Sequence, residues 1–196
     1  MRRIVFPDRI QLRASVAHAV LAIALAWCGC ACADTRVYLL RGWFGIFSLG
    51  MDSMAQQLQA KGIEAEAIGH LEWKSAVSKI VDERAAGRTG PLVLVGHSQG
   101  ANNIIDMARE LQKHNISVDL LITLSPYLQD PVPSNVRRAF NYYQSPGWGS
   151  PLTADEDFEG ELTNFNIEND SSILHINIDK DPKVQAAVVA AIIALP

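Results

Sequence analysis

The chain has 196 residues, of which 48% are hydrophobic and 19% are charged, with 17 Lys and Arg against 21 Asp and Glu. This length suffices for one domain with a substantial core and is short for two ordinary domains. The net charge of −4 argues against the basic surface that is typical of nucleic-acid-binding domains. No P-loop, G-x-G-x-x-G or H-E-x-x-H pattern occurs, so the common nucleotide and zinc signatures are absent as well.

Residues 1–33 have the pattern of a secretory signal peptide. Four arginines precede an almost wholly apolar run from Ala14 to Trp27, and Ala31-Cys-Ala33 places small residues before Asp34. The apolar run is short for a membrane span and is interrupted by a histidine. We therefore expect cleavage of this leader and release of residues 34–196 into the periplasm or the medium, with a retained membrane anchor as the alternative.

The leader contains all three cysteines, so its removal leaves a chain without disulfide or thiol chemistry. It also carries four of the 17 basic residues and one of the 21 acidic ones. Residues 34–196 therefore have 13 basic and 20 acidic residues and a net charge of −7. The sequence implies no nucleic-acid partner, no metal and no cofactor.

Apolar patterning predicts strands and helices in alternation. Such an alternation over about 160 residues predicts a mostly parallel sheet of about six strands with helices on both faces. The second strand alternates only weakly, which indicates a place near the sheet edge, and Asp52 is the expected N-cap of the first helix. The predicted strands are Val37–Leu40, Ile63–Ile68, Leu92–Val95, Val118–Leu124, Val136–Gln144 and Glu161–Ile167. The predicted helices begin near Asp52, Trp73, Gly100 and Asp181.

The stretch that joins the third strand to its helix has the pattern G-x-S-x-G, from Gly96 to Gly100, with Ser98 at its centre. A serine on a sharp strand-to-helix turn is held in a strained backbone conformation with its Oγ exposed, and the glycines leave the space that the turn requires. The helix N-terminus places backbone N–H groups beside the serine. This pattern indicates a nucleophile, and a glycine-rich turn that only joins two elements is the alternative.

With this turn placed on the alternating strands and helices, residues 34–196 resemble a single minimal α/β-hydrolase domain of the small lipase and thioesterase-like kind. The resemblance begins at the family's third strand, which implies that the antiparallel opening hairpin is missing. In that family the nucleophile, the acid and the histidine follow in this order along the chain. Ser98 and His175 fit the first and last places. The resemblance implies that His175 takes the serine proton and later protonates the leaving group.

The other histidines are weaker candidates for the base. His97 adjoins the serine on a tight turn, where its side chain points elsewhere, so we expect a structural role. His114 ends a polar helix and is expected to be solvated, and His70 follows the second strand but precedes the serine. For His175 itself, the alternative is a buried histidine bonded to backbone.

The resemblance also implies two backbone donors for an oxyanion hole. One is the N–H of Gln99, directly after the nucleophile. The other is the N–H of Trp43, because Arg41-Gly42-Trp43 resembles the family's His-Gly-x pattern, from which Arg41 departs. The apolar residues of this loop form either a lip for an acyl group or part of the core. They are Trp43, Phe44, Ile46 and Phe47.

The acid is the point at which the match to the family fails. Many thioesterase-like members carry an aspartate directly after the strand that follows the nucleophile's helix, and this chain has Ser125 there. A serine cannot stabilise an imidazolium as a carboxylate can. Asp130 in the same loop is the expected substitute. Asp155 and Asp157 in the loop after the next strand are the alternatives, as is the absence of any carboxylate.

Together these residues predict an exported serine hydrolase that cleaves carboxylic esters or thioesters through an acyl-enzyme on Ser98. Little length is left for a lid between the turn and His175, which favours an open site for a small-molecule substrate such as one with an acyl chain. A membrane contact is expected only if the leader is retained. The alternative class is a non-catalytic binding protein that kept the hydrolase fold, which Ser125 motivates.

Overall fold

The computed structural model describes residues 34–43, 45, 48–145, 147–167 and 172–196, all within the unit Ala31–Pro196. The predicted leader lies outside the described residues, as do three residues of the predicted apolar lip, Phe44, Ile46 and Phe47. In the described part of the chain, no helix is both long enough and apolar enough to cross a membrane.

Strands and helices alternate along the described chain. The strands are β1 (Arg36–Leu40), β2 (Glu64–Ile68), β3 (Leu92–His97), β4 (Leu120–Leu124), β5 (Arg138–Tyr143) and β6 (Glu161–Asn166). The helices are α1 (Gly50–Gln59), α2 (Trp73–Ala85), α3 (Gln99–Lys113) and α4 (Pro182–Ile193), with short 3-10 helices at His70–Glu72 and Ile178–Lys180. The strands form one sheet in the order β2-β1-β3-β4-β5-β6, and all neighbours are parallel. The predicted fold class is confirmed.

Two hydrophobic cores bury the sheet on its two faces. In β1, Val37 and Leu39 belong to one core and Tyr38 and Leu40 to the other, because successive side chains of a strand point to opposite faces. Helices α1 and α4 cover the first core, and α2 and α3 cover the second. Strands that are buried on both faces are continuously apolar, which explains the uninterrupted apolar runs of β1, β3 and β4.

Two further predictions about individual elements are confirmed. The weakly alternating β2 is an edge strand of the sheet. Asp181 is the N-cap of α4, where its Oδ1 accepts hydrogen bonds from the N–H groups of Lys183 at 2.9 Å and Val184 at 3.0 Å. Pro182 occupies the first turn of the same helix, where its fixed φ suits the helix and its missing N–H has no partner to lose.

The prediction that Asp52 caps the first helix is wrong. Helix α1 begins two residues earlier, at Gly50, whose N–H donates to Oδ2 of Asp179 at 2.8 Å. Asp52 lies inside the first turn, where Oδ2 accepts a hydrogen bond from Nε of Arg41 at 2.8 Å. The cap therefore comes from a residue that is distant in sequence, and local patterning around Asp52 could not reveal it.

Two glycines allow the turn after β3 to pack tightly. A Cβ on Gly96 would overlap with the backbone of Gly100, and a Cβ on Gly100 would overlap with the carbonyl oxygens of Leu40 and Arg41. The start of α3 therefore lies directly against the end of β1. Because the carboxyl ends of parallel strands meet at one edge of a sheet, the loops after β1, β3, β4 and β5 converge at this edge.

Candidate active site

Ser98 occupies the sharp turn between β3 and α3. Its backbone has φ 55° and ψ −123°, a conformation that side-chain-bearing residues rarely adopt and that stores about 1 to 3 kcal/mol of strain. The Ser98 N–H donates to the carbonyl of Leu124 at 2.9 Å. On the other side, a Cβ on Gly42 would lie only 3.0 Å from the Ser98 Cβ. The strained turn is therefore held between the end of β4 and the loop after β1.

The structure brings His175 together with Ser98. Nε2 of His175 lies 3.0 Å from Oγ of Ser98, which is hydrogen-bond distance. The ring of His175 is also flanked by two other rings, that of Trp148 at 4.8 Å and that of His97 at 5.2 Å between centroids. Ser98 and His175 are 77 positions apart along the chain and are direct neighbours in the fold.

The other ring nitrogen of His175 is buried and has no hydrogen-bond partner among the described residues. Burial, together with a smaller effect of the neighbouring His97, lowers the pKa of His175 from an ordinary 6.5 to about 4. A carboxylate at Nδ1 would act in the opposite direction, because it stabilises the protonated ring. His175 is therefore neutral at neutral pH.

The structure does not bring Asp130 together with His175. Oδ2 of Asp130 accepts a hydrogen bond from Nδ2 of Asn102 at 2.7 Å. The side chain of Asn102, buried in the first turn of α3, also accepts from the N–H groups of Tyr127 and Leu128 at 2.9 and 3.1 Å. This asparagine fixes the loop after β4 against α3, and the expectation that Asp130 orients the histidine is corrected accordingly.

The two alternative aspartates are also engaged elsewhere. Asp155 forms an ion pair with Arg109 of α3 at 2.9 Å. Oδ2 of Asp157 accepts a hydrogen bond from Oγ of Ser134 at 2.9 Å. Neither aspartate hydrogen-bonds to His175, so within the described residues the histidine has no carboxylate partner, as in the third alternative of the sequence analysis.

The residues proposed as oxyanion donors lie at the same cavity as Ser98 and His175. This cavity has a volume of about 290 Å³. Gln99 is the first residue of α3, and the first N–H groups of a helix have no partner within it. Trp43 is 58% exposed, and its ring stacks at 6.5 Å on that of Tyr127. The lining residues are Gly42, Trp43, Ser48, His97, Ser98, Gln99, Tyr127, Trp148, His175 and Ile176.

His97 is buried below the cavity and makes two side-chain hydrogen bonds. Nδ1 lies 2.8 Å from Oγ of Ser48, and Nε2 lies 2.7 Å from the backbone carbonyl oxygen of His175. Burial lowers the pKa of His97 to about 4. The sequence predicts a structural role for this residue, but its contact with His175 is long-range and left no local signal.

Asp179 is a second residue of the site region that the sequence pattern does not single out. Its carboxyl group is fully buried, and Oδ1 lies 4.0 Å from Nδ1 of His97. Burial raises the pKa of Asp179 from an ordinary 3.8 to about 6, although the N–H of Gly50 donates to Oδ2 and favours the charged form. The position of Asp179, four residues after His175, is the one signal that could have suggested it.

Two other histidines of the described residues, His70 and His114, do not line the Ser98 cavity. A larger cavity of about 500 Å³ lies between α2 and α3, and His114, Glu110 and Asp82 are among its lining residues. His70 lies in the 3-10 helix after β2 and does not line the Ser98 cavity. Within the described ranges, no group of three His, Cys, Asp or Glu side chains could hold a metal ion.

Comparison with known proteins is informative about the fold. No family model matches the chain, and no curated protein sequence matches it. Human thioesterase 2 is similar in structure, with a TM-score of 0.55 and 12% identity over 82% of this chain and 94% of that one. The thioesterase of the prodiginine biosynthetic pathway in Streptomyces coelicolor has a TM-score of 0.49 and 10% identity, over 96% of this chain and 97% of that one. The chain has a thioesterase-like α/β-hydrolase fold.

Proposed function

We propose that the chain is a serine hydrolase that cleaves carboxylic esters or thioesters through an acyl-enzyme on Ser98. One observation carries this proposal: a serine on a strained strand-to-helix turn has its Oγ 3.0 Å from Nε2 of a half-buried histidine. A nucleophile within hydrogen-bond reach of a general base is the arrangement that covalent acyl transfer requires. The thioesterase-like fold supports the same reaction class by analogy.

Acylation begins with neutral His175. Oγ of Ser98 forms a bond to the substrate carbonyl carbon while its proton passes to Nε2 of His175. The carbonyl electron pair moves to oxygen, and this oxyanion accepts hydrogen bonds from the N–H groups of Gln99 and Trp43. Collapse of the intermediate breaks the bond to the alkoxide or thiolate leaving group, which takes the proton from Nε2. A water molecule then repeats the sequence on the acyl-enzyme and frees the acid.

The catalytic set in this proposal is a pair of side chains, because no residue in the described part of the chain places a carboxylate at Nδ1 of His175. The imidazolium that forms during each step therefore lacks a charge partner, and no hydrogen bond at Nδ1 selects the productive tautomer. The low pKa of His175, about 4, also makes it a weak base at neutral pH. We expect slow turnover compared with hydrolases that have a complete triad.

We also propose that the acyl group is uncharged and apolar. Four of the large apolar side chains that are exposed in the described part of the chain line the Ser98 cavity: Trp43, Tyr127, Trp148 and Ile176. Single exposed apolar residues are common on protein surfaces, whereas several that line one cavity mark a binding site. The other exposed large apolar side chains of the described residues do not line this cavity; they are Leu49, Leu71, Leu128, Phe165, Leu174 and Ile193.

None of the residues that line the cavity is Asp, Glu, Lys or Arg, and most of them lie in uncharged stretches of the chain. The uncharged stretches are 42–51 after β1, 120–129 through β4 and its loop, 139–154 through β5 and its loop, and 171–178 around His175. In a chain that is 19% charged, these segments leave no ionic partner for an acidic or basic acyl group. Burial of apolar surface is then the main source of substrate affinity.

A non-catalytic binding protein is the second candidate. The unpartnered Nδ1 of His175 favours it, as does Ser125 at the place where the resemblance leads one to expect the acid. Such a protein would use the same apolar cavity to hold an acyl compound without cleaving it. The labelling experiment that follows separates the two candidates.

A fluorophosphonate probe tests the nucleophile directly. We expect the probe to label Ser98 and Ser98→Ala to lose both labelling and esterase activity. His175→Ala should lower both by roughly 10³-fold or more, because nucleophile and base act as a unit. Ser53→Ala and His70→Ala serve as matched controls outside the cavity. An unlabelled wild-type protein would favour the binding-protein alternative, and loss of activity in His70→Ala but not in His175→Ala would refute the assigned base.

The pH dependence of turnover tests the environment of His175. Because the base must be neutral, kcat/KM on a short p-nitrophenyl ester should rise as the pH increases through about 4 and stay level from about pH 5 to 8. Asp179→Asn is the control, since Asp179 titrates near pH 6 beside His97. An inflection near 6.5 that persists in Asp179→Asn would contradict a desolvated His175.

Acyl selectivity tests the apolar rim. We expect kcat/KM to be higher for p-nitrophenyl octanoate than for the butyrate, and lowest for the charged monosuccinate. Ile176→Ser should lower kcat/KM for the octanoate by roughly 10-fold, since it removes an apolar contact with the longer chain. Leu71→Ser, which is 81% exposed and outside the cavity, should leave the preference unchanged. Equal activity on the succinate would overturn the proposed substrate class.

We further propose that the protein is exported and that its mature form begins at Asp34. The arginine-rich start, the apolar run and the small residues Ala31 and Ala33 support this proposal. Intact-mass measurement of protein recovered from outside the cytoplasm should give the mass of residues 34–196, and Ala33→Arg should prevent cleavage. A species that retains Met1, or that carries a lipid on a cysteine, would disprove it.

A further inference from the structure

A continuous run of hydrogen bonds connects the loop after β1 with the loop that carries His175. The N–H of Gly42 donates to Oγ of Ser48 at 2.9 Å. The same Oγ lies 2.8 Å from Nδ1 of His97, and Nε2 of His97 lies 2.7 Å from the backbone carbonyl oxygen of His175. Ser48 and His97 are both buried, with 1% and 2% of their surface exposed, so water does not compete for these bonds.

Elementary hydrogen-bond chemistry fixes the direction of each bond. A carbonyl oxygen only accepts, so Nε2 of His97 must carry the proton that it donates to His175. With a pKa of about 4, His97 is neutral at neutral pH, and its Nδ1 is then an acceptor. The hydroxyl of Ser48 therefore donates to Nδ1 and accepts from Gly42. Every donor in this series of hydrogen bonds has an acceptor, so only one arrangement of the protons satisfies all three bonds.

The two ends of this series of hydrogen bonds lie next to the proposed oxyanion donor and at the proposed base. Gly42 directly precedes Trp43, whose N–H is the proposed oxyanion donor, and the other end is the backbone of His175 itself. Among the described residues, Nδ1 of the His175 ring has no partner, so none of them gives the ring the carboxylate contact that sets its orientation in a triad. The bond from His97 to the His175 carbonyl is a polar restraint on the backbone of this residue.

Asp179 restrains the same two loops from a second direction. Its Oδ2 accepts from the N–H of Gly50, at the end of the loop after β1, and Oδ1 lies 4.0 Å from Nδ1 of His97. Asp179 itself follows His175 by four residues. Lys180 is the other charged group that influences His97.

We infer that His97 is a positioning residue, which holds the loop of the base His175 in register with the oxyanion loop through Ser48 and thereby takes the orienting role that no carboxylate of the described residues fills. This inference rests on the proposed hydrolase function. It assigns no proton transfer to His97, because its Nε2 faces a carbonyl oxygen and its Nδ1 faces a hydroxyl. The effect of removing it is therefore expected in kcat and not in substrate binding.

Two substitutions, each to a side-chain amide, test the two hydrogen bonds of His97 one at a time. In His97→Gln, the side-chain amide reaches the place of Nε2 and can still donate to the His175 carbonyl. In His97→Asn, the amide reaches only the place of Nδ1, so the bond to Ser48 is kept and the bond to His175 is lost. Fluorophosphonate titration counts the active sites in each preparation, so a loss of folded protein does not mimic a loss of turnover.

We expect His97→Asn to lower kcat per titrated site by about 10- to 100-fold with KM within about 2-fold of wild type, because small misplacements of a base are costly in rate. His97→Gln should keep kcat within about 5-fold. Ser48→Ala removes the bond to Nδ1 that His97→Gln also loses, so it should lower kcat by a similar, smaller factor of about 2 to 5 at unchanged KM, with Ser53→Ala as its control.

The outcomes are distinct. Equal kcat in His97→Asn and His97→Gln, or normal kcat per titrated site with a lower melting temperature, would show that His97 only supports folding and would overturn the inference. A wild-type protein that is neither labelled nor active would refute the proposed function, and the positioning role with it. If His97→Asn does not fold, an unchanged kcat in Ser48→Ala overturns the positioning role of His97 and leaves the proposed function intact.

Discussion

The site depends on how closely the turn at Ser98 packs against the end of β1. A Cβ on Gly100 would overlap with the carbonyl oxygens of Leu40 and Arg41, and a Cβ on Gly42 would lie only 3.0 Å from the Ser98 Cβ. This contact places the start of α3 and the loop after β1 around one cavity, with the serine between them. It also supports the strained backbone of Ser98, since a residue with φ 55° persists only where its surroundings determine it.

The parts of the fold that the sequence predicts are those governed by local patterning. The apolar runs of β1, β3 and β4 are buried on both faces of the sheet and need no partner information to be recognised. The turn at Ser98 is equally local, because its glycines and serine lie within five consecutive positions. The pairing of Ser98 with His175 was predictable for another reason. In the family that the chain resembles, the histidine follows the nucleophile and the acid along the chain, which indicated a histidine near the C-terminal end.

The residues that the sequence did not predict are those whose partners lie far away in the chain. Asp52 has the composition of a helix cap, yet Asp179 caps that helix from 129 positions away. Asp130 lies in the expected loop, yet Asn102 on the facing helix binds it. In both cases the sequence predicts the region of the carboxylate correctly and its hydrogen-bond partner wrongly. A short polar side chain contacts only the groups that tertiary packing places beside it, and the sequence pattern does not show those groups.

The buried titratable groups of the site also determine how the fold responds to acid. As the pH falls from about 6.5 to about 4, the two histidines bind protons in the unfolded chain but not in the folded one, so the folded state loses stability. Asp179 acts in the opposite direction, because its carboxyl group is protonated near pH 6 when folded and near 3.8 when unfolded. Between about pH 4 and 6, unfolding therefore takes up about one proton instead of about two. The buried aspartate thus makes acid denaturation more gradual than the two histidines alone would produce.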